Sequence, residues 1–395
     1  MFVLVSAHLP AQERGGVGQC ASAAASILRR ATGDKHWKAV QAREALQSGD
    51  LLVALPGAAV DSKNGAVRLS LLEDLAGQSL YPVIETAVML HDGKGVDLEF
   101  TLDRGRVSIA NRKERGSAQV RVRLRDQTWE LTLAEPGARV ALEIYGRWPA
   151  GSRFARDAKT KEAPAADVVV LVLEGQVDLR AGNQEQALRA PPGPAYFHWD
   201  STAGLDATPG RLEKVPDWAD PKAGNTPRSR QIKARAEMLR QRLLQESLEN
   251  ALAEAAQSGD TTYRRIAVYL YGAVDDLPHL IAALDDASRA DVRDTAVVAL
   301  RHWIGRGPGQ DLRLYDALAK TTGYRPVDAE IILQLLHGFD EHDRKRPETY
   351  ESLIAYLRSE RLPIRELAAW HLQRLAPAGK DIAYDAGAPA AERDK

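Results

Sequence analysis

Short runs of Val, Leu and Ile broken by Gly and Pro fill the chain from about residue 35 to residue 200. This is the pattern of β-strands. In VRVRLRD (120–126) Val or Leu alternates with Arg, and in TWELTL (128–133) every second residue is apolar. Alternation of this kind sets one face of an antiparallel strand on a core and the other in water. ADVVVLVLEGQVDL (166–179) is apolar on both sides for six residues, which predicts a more deeply buried strand. In YFHWD (196–200), His198 should face away from Phe197 and Trp199, as an edge or surface histidine and not a general base.

Two small motifs recur in this region. Gly-x-Val-x-aliphatic occurs at Gly65/Val67/Leu69, Gly105/Val107/Ile109 and Gly175/Val177/Leu179. Pro-Gly precedes a strand-type residue at Pro56-Gly57, Pro136-Gly137 and Pro192-Gly193. Pro sets φ for the first corner of a turn and Gly accepts a positive φ at the second, so Pro-Gly reverses the chain. Gly before Val should open a strand after a tight bend. The repetition predicts hairpins related by an internal repeat, with independent hairpins as the alternative. In QAREALQSGDLLVALPGAAV (41–60), Ser48-Gly49-Asp50 reads as the turn that admits the first strand.

The period changes further on. From Leu205 to about Arg230, Pro, Gly, Asp and Lys dominate, as in a linker or a strap over the β region. RQIKARAEMLRQRLLQESLENALAEAA (230–256) carries apolar residues at three-to-five-residue steps and predicts one long amphipathic helix ending at Ser258-Gly259. Beyond it a polar residue is followed by small or apolar residues at +3 and +7 in four places: Arg264/Ala267/Tyr271, Arg293/Ala296/Leu300, Asp328/Ile331/Leu335 and Arg365/Ala368/Leu372. Partner helices LPHLIAALDD and PETYESLIAYLRSE precede the second and fourth. The period is that of helical pairs in a solenoid.

Composition narrows the function. At 395 residues the chain predicts two or three domains. Lys and Arg number 53 against 54 Asp and Glu, so the basic footprint of a nucleic-acid binder is missing. Cys20 is the single cysteine, which excludes an internal disulfide and a thiolate zinc cage. No run of apolar residues approaches the roughly 18 needed to span a membrane. The start, MFVLVSAHLPAQERGG, combines an apolar Phe2–Val5 with a cleavage-like Val5-Ser6-Ala7 but has no basic residues ahead of it. It reads as a signal remnant or a frayed strand. At the other end YDAGAPAAERDK begins like a helix and stops, as if a last repeat were missing.

With Trp37, Leu46, Gly49-Asp50 and Leu51-Leu52, the stretch WKAVQAREALQSGDLLVALPGAAV resembles the sensory domain of the FecR-like family, and LDRGRVSI and VLEGQVDL resemble the Gly-x-Val strands that follow it there. DVRDTAVVALRHW and PIRELAAWHLQRL look like HEAT repeats. The resemblance covers roughly residues 25–200 for the first family and the C-terminal part for the second. It implies a β domain for sensing or protein contact in the cell envelope or periplasm, with a cytoplasmic location as the alternative. It carries no catalytic residues across. The anti-sigma segment and membrane helix of FecR-like regulators have no counterpart here, so membrane association would need an additional N-terminal segment.

Local chemistry is sparse. Gly16-x-Gly18 near a small-residue run is similar to a dinucleotide loop but lacks the strand-loop-helix setting. His337, Asp340, Glu341, His342 and Asp343 gather metal-type ligands without two histidines on one helical face, and read as a solvated loop. Cys20 has no neighbouring base. No Gly-x-Ser-x-Gly, Walker or His-Glu-x-x-His motif occurs. Most tryptophans, among them Trp37, Trp129, Trp199, Trp303 and Trp370, should be core.

The expected architecture is a flexible segment or signal remnant (1–30), an antiparallel β-rich domain (31–204, a sandwich or short β-solenoid), a linker (205–230) and a HEAT-like α-solenoid (231–395). No catalytic residue, cofactor or metal ligand is assigned. The expected function is non-enzymatic: a sensory, regulatory or scaffold protein binding a protein partner or envelope component, and no nucleic acid. The alternative is an accessory carbohydrate- or metal-binding protein, or an enzyme with an interdomain site.

Overall fold

The computed structural model describes residues 15–72, 85–156, 163–206, 208–220, 226–321, 323–379 and 381–393. Strands occupy the chain as far as Arg211 and helices follow from Pro227, as the change of period predicts. The apolar Phe2–Val5 start lies outside the described residues. Gly16–Cys20 and Ile27–Arg30 are strands, so residues 16–30 belong to the β module and are not a flexible leader. Gly16–Cys20 pairs with Ala45–Gln47 and Ala59–Ser62, and no helix follows it. A Cβ on Gly18 would stand 2.9 Å from the Asp61 carbonyl oxygen, so that glycine admits a neighbouring strand and not a phosphate.

Two long strands organise the β module. Leu98–Asn111 pairs with Ala87–His91 and Ala118–Leu124 through its first half, and with Val67–Leu72 and Arg139–Arg147 through its second. Ala165–Ala181 pairs first with Arg139–Arg147 and Ala195–Asp200, then with Gln127–Leu133 and Gln184–Ala190. Each strand therefore leaves one sheet and joins the other. The crossings fall at Gly105 (φ 93°) and Gly175 (φ 75°), where an L side chain would be strained. These two members of the Gly-x-Val motif thus lie inside strands, whereas Gly65 precedes one. The two crossings run in opposite senses between the sheets, so at Gly105 and Gly175 the motif marks a change of sheet and not a copy of one hairpin.

Side chains of both sheets meet in one core, where Leu69 and Val107 join Phe100 and Leu131, and Trp129 meets Trp199 edge-on at 6.3 Å. In Ala195–Asp200 the buried residues are Ala195, Phe197 and Trp199, and His198 faces the other way, beside Asp167 (3.5 Å) and Asp206 (3.6 Å). The proline-rich stretch after Leu205 acts as a strap. Ala219 is buried on Ala141 and Leu171, and Trp218 lies 4.9 Å from the Arg106 guanidinium, which is buried in a pair with Glu143.

The helices come in pairs. Leu248–Gln257 precedes Thr261–Ala273, Leu277–Leu284 precedes Ala290–Gly305, and Pro347–Tyr356 precedes Leu362–Leu375; Gln310–Asp316 with a π-turn at Ala317–Thr321 precedes Pro326–His337. The periodic polar residue has a common task in three of the four. Arg264, Arg293 and Arg365, each partly or fully buried, reach back to the carbonyls of Ser258 (2.7 Å), Asp286 (2.9 Å) and Ser359 (2.7 Å). Each ties the preceding loop to its helix. In the third pair Asp328 instead accepts from Arg325 (2.8 Å) and, from the fourth pair, Arg361 (3.2 Å). The long helix expected over 230–256 is two, Pro227–Leu243 and Leu248–Gln257. Ser247 starts the second by accepting from the Asn250 N–H, a capping interaction that competes with helix continuation. The C-terminal segment docks on the array: Asp385 pairs with Arg293 (2.5 Å) and the Ala386 carbonyl accepts from Arg365 (2.9 Å) before a short helix at Ala390–Arg393.

Candidate binding cleft beside the module junction

The two modules share a core. Leu28, Val53 and Ala87 are paired across neighbouring strands and form a row that packs into the helical core, together with Leu55 and Trp37. Leu52 and Ala54 point the other way, between the sheets. The unbroken apolar run Leu51–Leu55 thus holds a strand, Leu51–Ala54, buried between two cores, and this explains why it does not alternate. Trp37 donates Nε1–H to the Val274 carbonyl (3.1 Å).

Beside that row lies a buried charge network. Glu85 accepts from Arg104 Nε (2.8 Å) and from Arg306, and stands 3.5 Å from His302 Nε2. Arg104 also donates to the Ala273 carbonyl (2.6 Å), and Arg306 to the Gly272 carbonyl (2.9 Å). Asp275 collects Trp303 Nε1–H (3.0 Å), Arg306 (3.3 Å) and Arg30 (3.4 Å). Burial alone would raise the Glu85 carboxyl, but Arg306, His302 and Arg104 hold it well below the usual carboxylate range. A charge set like this costs desolvation and tolerates no missing partner. Nearby the strand Arg139–Arg147 meets the helix Ala290–Gly305 backbone to backbone. A Cβ on Gly146 would collide with the Gly305 carbonyl, and one on Gly305 would stand 3.0 Å from Arg147 Cα.

The chain leaving that strand then runs over the helices. Trp148 donates Nε1–H to the Ile304 carbonyl (3.1 Å) and stacks on His337 with ring centroids 4.5 Å apart. Phe154 stacks on Tyr315 at 5.6 Å, and Arg153 pairs with Asp343 at 3.1 Å. Between these anchors the Gln334 side chain binds main chain. Its Oε1 accepts from Phe154 N–H (3.1 Å) and its Nε2 donates to the Ser152 carbonyl (3.2 Å). A side-chain amide that takes the C=O of one residue and the N–H of the second residue after it reads backbone, whatever the sequence.

Where this crossing segment ends, a cleft of about 360 Å³ opens. Val327, Glu330, Ile331 and Gln334 form one wall, and Thr349, Ser352, Leu353 and Tyr356 the other. Both sets follow the three-and-four spacing that puts residues on one helical face. Leu335 and Phe339 also line the cleft, and Arg153 and Phe154 bring the β module to it. Val327 is 52% exposed. Leu353 is the one residue of the helix Pro347–Tyr356 that is buried, so the rest of that wall is open to contact.

The metal-type cluster of the sequence is dispersed. His337 is buried under Trp148, Asp340 caps the helix Glu341–Arg344 by accepting from Asp343 N–H (2.7 Å), Asp343 pairs with Arg153, and Glu341 and His342 are exposed. Among the described residues no group of three or more His, Cys, Asp and Glu could hold a metal ion. Cys20 is buried, with its sulfur 3.6 Å from Ser22. Trp37, Trp129, Trp199 and Trp303 are buried; Trp370 is half-buried and lies between Arg301 and Arg374. On the β module a depression of about 490 Å³ is lined by Gln119, Glu130, Thr132, Asp178, Arg180 and their neighbours, with no aromatic side chain. There Glu130 is paired with Arg121 and Arg180.

Trp148, Phe154 and Gln334 were not singled out from sequence. The available signal was GRWPAGSRFAR (146–156), two aromatic residues in a Pro/Gly/Ser segment where nothing local would bury them. Among the described residues no helix is long and apolar enough to cross a membrane. The chain matches no family model, no curated protein and no solved structure.

Proposed function

We propose that this chain is a non-enzymatic scaffold or sensory protein in which a β-sandwich of FecR-like type is locked to a short HEAT-like α-solenoid, and that the helical module binds a protein partner. The observation that carries this reading is the segment 148–154, a stretch of chain held on the helical surface by Gln334 and two aromatic seats, with a cleft beside it. Repeat surfaces suit such contacts because stacked helices present a long face of regularly spaced side chains. The titratable groups at the junction are engaged in structural pairs, which supports binding over catalysis. The envelope location of FecR-like proteins belongs to the same proposal and rests on the resemblance alone.

Affinity capture with the full chain from extracts of its native cell, read by quantitative mass spectrometry, tests the proposal. The expected result is a protein recovered in near-stoichiometric amount by the folded chain and not by an unrelated helical-repeat protein. Recovery of none, at a protein concentration of tens of micromolar, would sink it.

A further inference from the structure

Resting on that reading, we infer that the cleft takes an extended segment of a partner protein, which seats one bulky apolar side chain against the partly exposed Ile331, Phe339 and Tyr356 and lays its main chain past Gln334. The argument begins from continuity. The segment 148–154 already shows how this surface holds chain: one helix supplies the amide that reads backbone, and rings flank it. Phe154 and Gln334 belong to that contact and also line the cleft, so the cleft prolongs an interface the molecule has already made.

The wall chemistry selects an extended occupant. A side-chain amide offers two N–H donors and two carbonyl lone pairs. Among the described residues, Gln334 spends one of each on the β module's own chain. Thr349 adds a hydroxyl along the opposite wall, Ser352, whose hydroxyl donates to the Glu348 carbonyl (2.8 Å), adds an acceptor, and Glu330 adds acceptors one turn before Gln334. Groups so spaced meet the free N–H and C=O of an extended chain, whereas a helix has already used its own internally. Between them the partly exposed Ile331, Phe339 and Tyr356 provide an apolar seat, floored by the buried Leu335 and Leu353. The occupant is therefore a strand-like peptide with a single large apolar anchor.

A random dodecapeptide phage library panned on the full chain, followed by fluorescence anisotropy of the recovered peptides, tests this. The peptides should share one bulky apolar residue and tolerate a proline next to it, which extended chain accepts and a helix interior does not. Their affinity should fall tenfold or more with Ser352→Arg at the cleft and stay unchanged with Met238→Arg, an exposed position on the helix Pro227–Leu243. No enrichment over an unrelated protein, binding indifferent to Ser352→Arg, binding abolished by the proline, or a wild-type chain that light scattering shows to self-associate through the cleft would each overturn the inference. If the peptides fail while capture still recovers a partner, the inference falls and the wider proposal stands.

Discussion

The junction and the cleft adjoin on the helical module, and the two are built in opposite ways. At the junction the modules remove side chains to bring backbone together, Gly146 against Gly305, and bury charge that is paired across the boundary, Glu85 with Arg104, Arg306 and His302. At the cleft the walls carry full side chains, polar and apolar, and Leu353 is the one buried residue of the helix Pro347–Tyr356. Close backbone contact and paired buried charge cannot be exchanged for anything else without loss. Open walls of exposed side chains can. The junction is therefore permanent architecture, and the cleft is the place where an exchangeable contact can form.

The largest effect should come from breaking the junction network. Glu85→Ala leaves Arg104 and Arg306 buried without their shared carboxylate, and removal of one member of a buried charge set costs about 3–5 kcal/mol. Urea denaturation at neutral pH should show the loss in full. A loss below about 1 kcal/mol would mean that this network is hydrated in solution and that the two surfaces differ less than their geometry implies.

Acidification should instead strain the packing beneath the crossing segment and the cleft floor. Burial pushes His337 down to about 4, opposed by the Ser152 backbone, and burial with Arg301 pushes His371 down to about 3. Both imidazoles are neutral in the folded chain well below the ordinary histidine range, while the unfolded chain takes up protons below about 6.5. The unfolded state then binds more protons, so stability is complete above about 6.5 and falls as the pH drops toward the folded values. Between pH 8 and pH 5 the loss should be about 2 kcal/mol for each histidine, from 1.36 kcal/mol per pH unit. Glu85 has the same sign of dependence but acts lower, because its stabilisation is complete above the ordinary carboxylate range and is lost only as the pH falls below it. Urea midpoints across that window, with His337→Phe to keep a ring under Trp148, should show roughly half the slope in the variant; an unchanged slope would place the titration elsewhere.

A smaller effect is expected where backbone meets backbone. Gly146→Ala adds one carbon against the Gly305 carbonyl, and inserting a methyl into a filled contact costs about 1–3 kcal/mol. Thermal unfolding should detect it, and Gly305→Ala should not add fully to it, because the two residues share one contact. Full additivity would show that the strand and helix are further apart in solution.

The junction also shows how far residue order can be read. The run Leu51–Leu55 announces burial on both faces by failing to alternate, though not that its second face would meet helices. Gly105 and Gly175 are conspicuous as a motif, yet the need they answer, a strand passing from one sheet to the other, depends on partners that order does not reveal. Arg264, Arg293 and Arg365 recur at a helical-pair period, and helices do stand in pairs there, because each acts on a carbonyl six or seven residues away. The single helix expected over 230–256 fails because Ser247 caps a new start within an otherwise continuous apolar period. His337, Asp340 and Asp343 read together as ligands because they are close in sequence, but the fold sends them to a ring stack, a cap and an ion pair. The cleft depends on Phe154 reaching Gln334 across 180 residues, a separation over which no local period operates.

The smallest effect should mark the cleft itself. Val327 is 52% exposed at its mouth, and Ser352 faces it from the opposite helix. Val327→Ser removes two methyl groups that water already reaches in part and adds one hydroxyl that it can hydrate, so no cavity opens and no buried polar group loses a partner. Changes of this type usually stay within about 0.5 kcal/mol. Ser352→Arg adds length toward an open space and should be as mild in the free chain. Urea midpoints of both variants should therefore match the wild type, while Glu85→Ala departs widely from it. If Val327→Ser instead cost more than about 1 kcal/mol, Val327 would have to be packed in the free chain. The cleft would then be closed by the molecule's own residues, and the contrast between a finished junction and an unfinished groove would disappear.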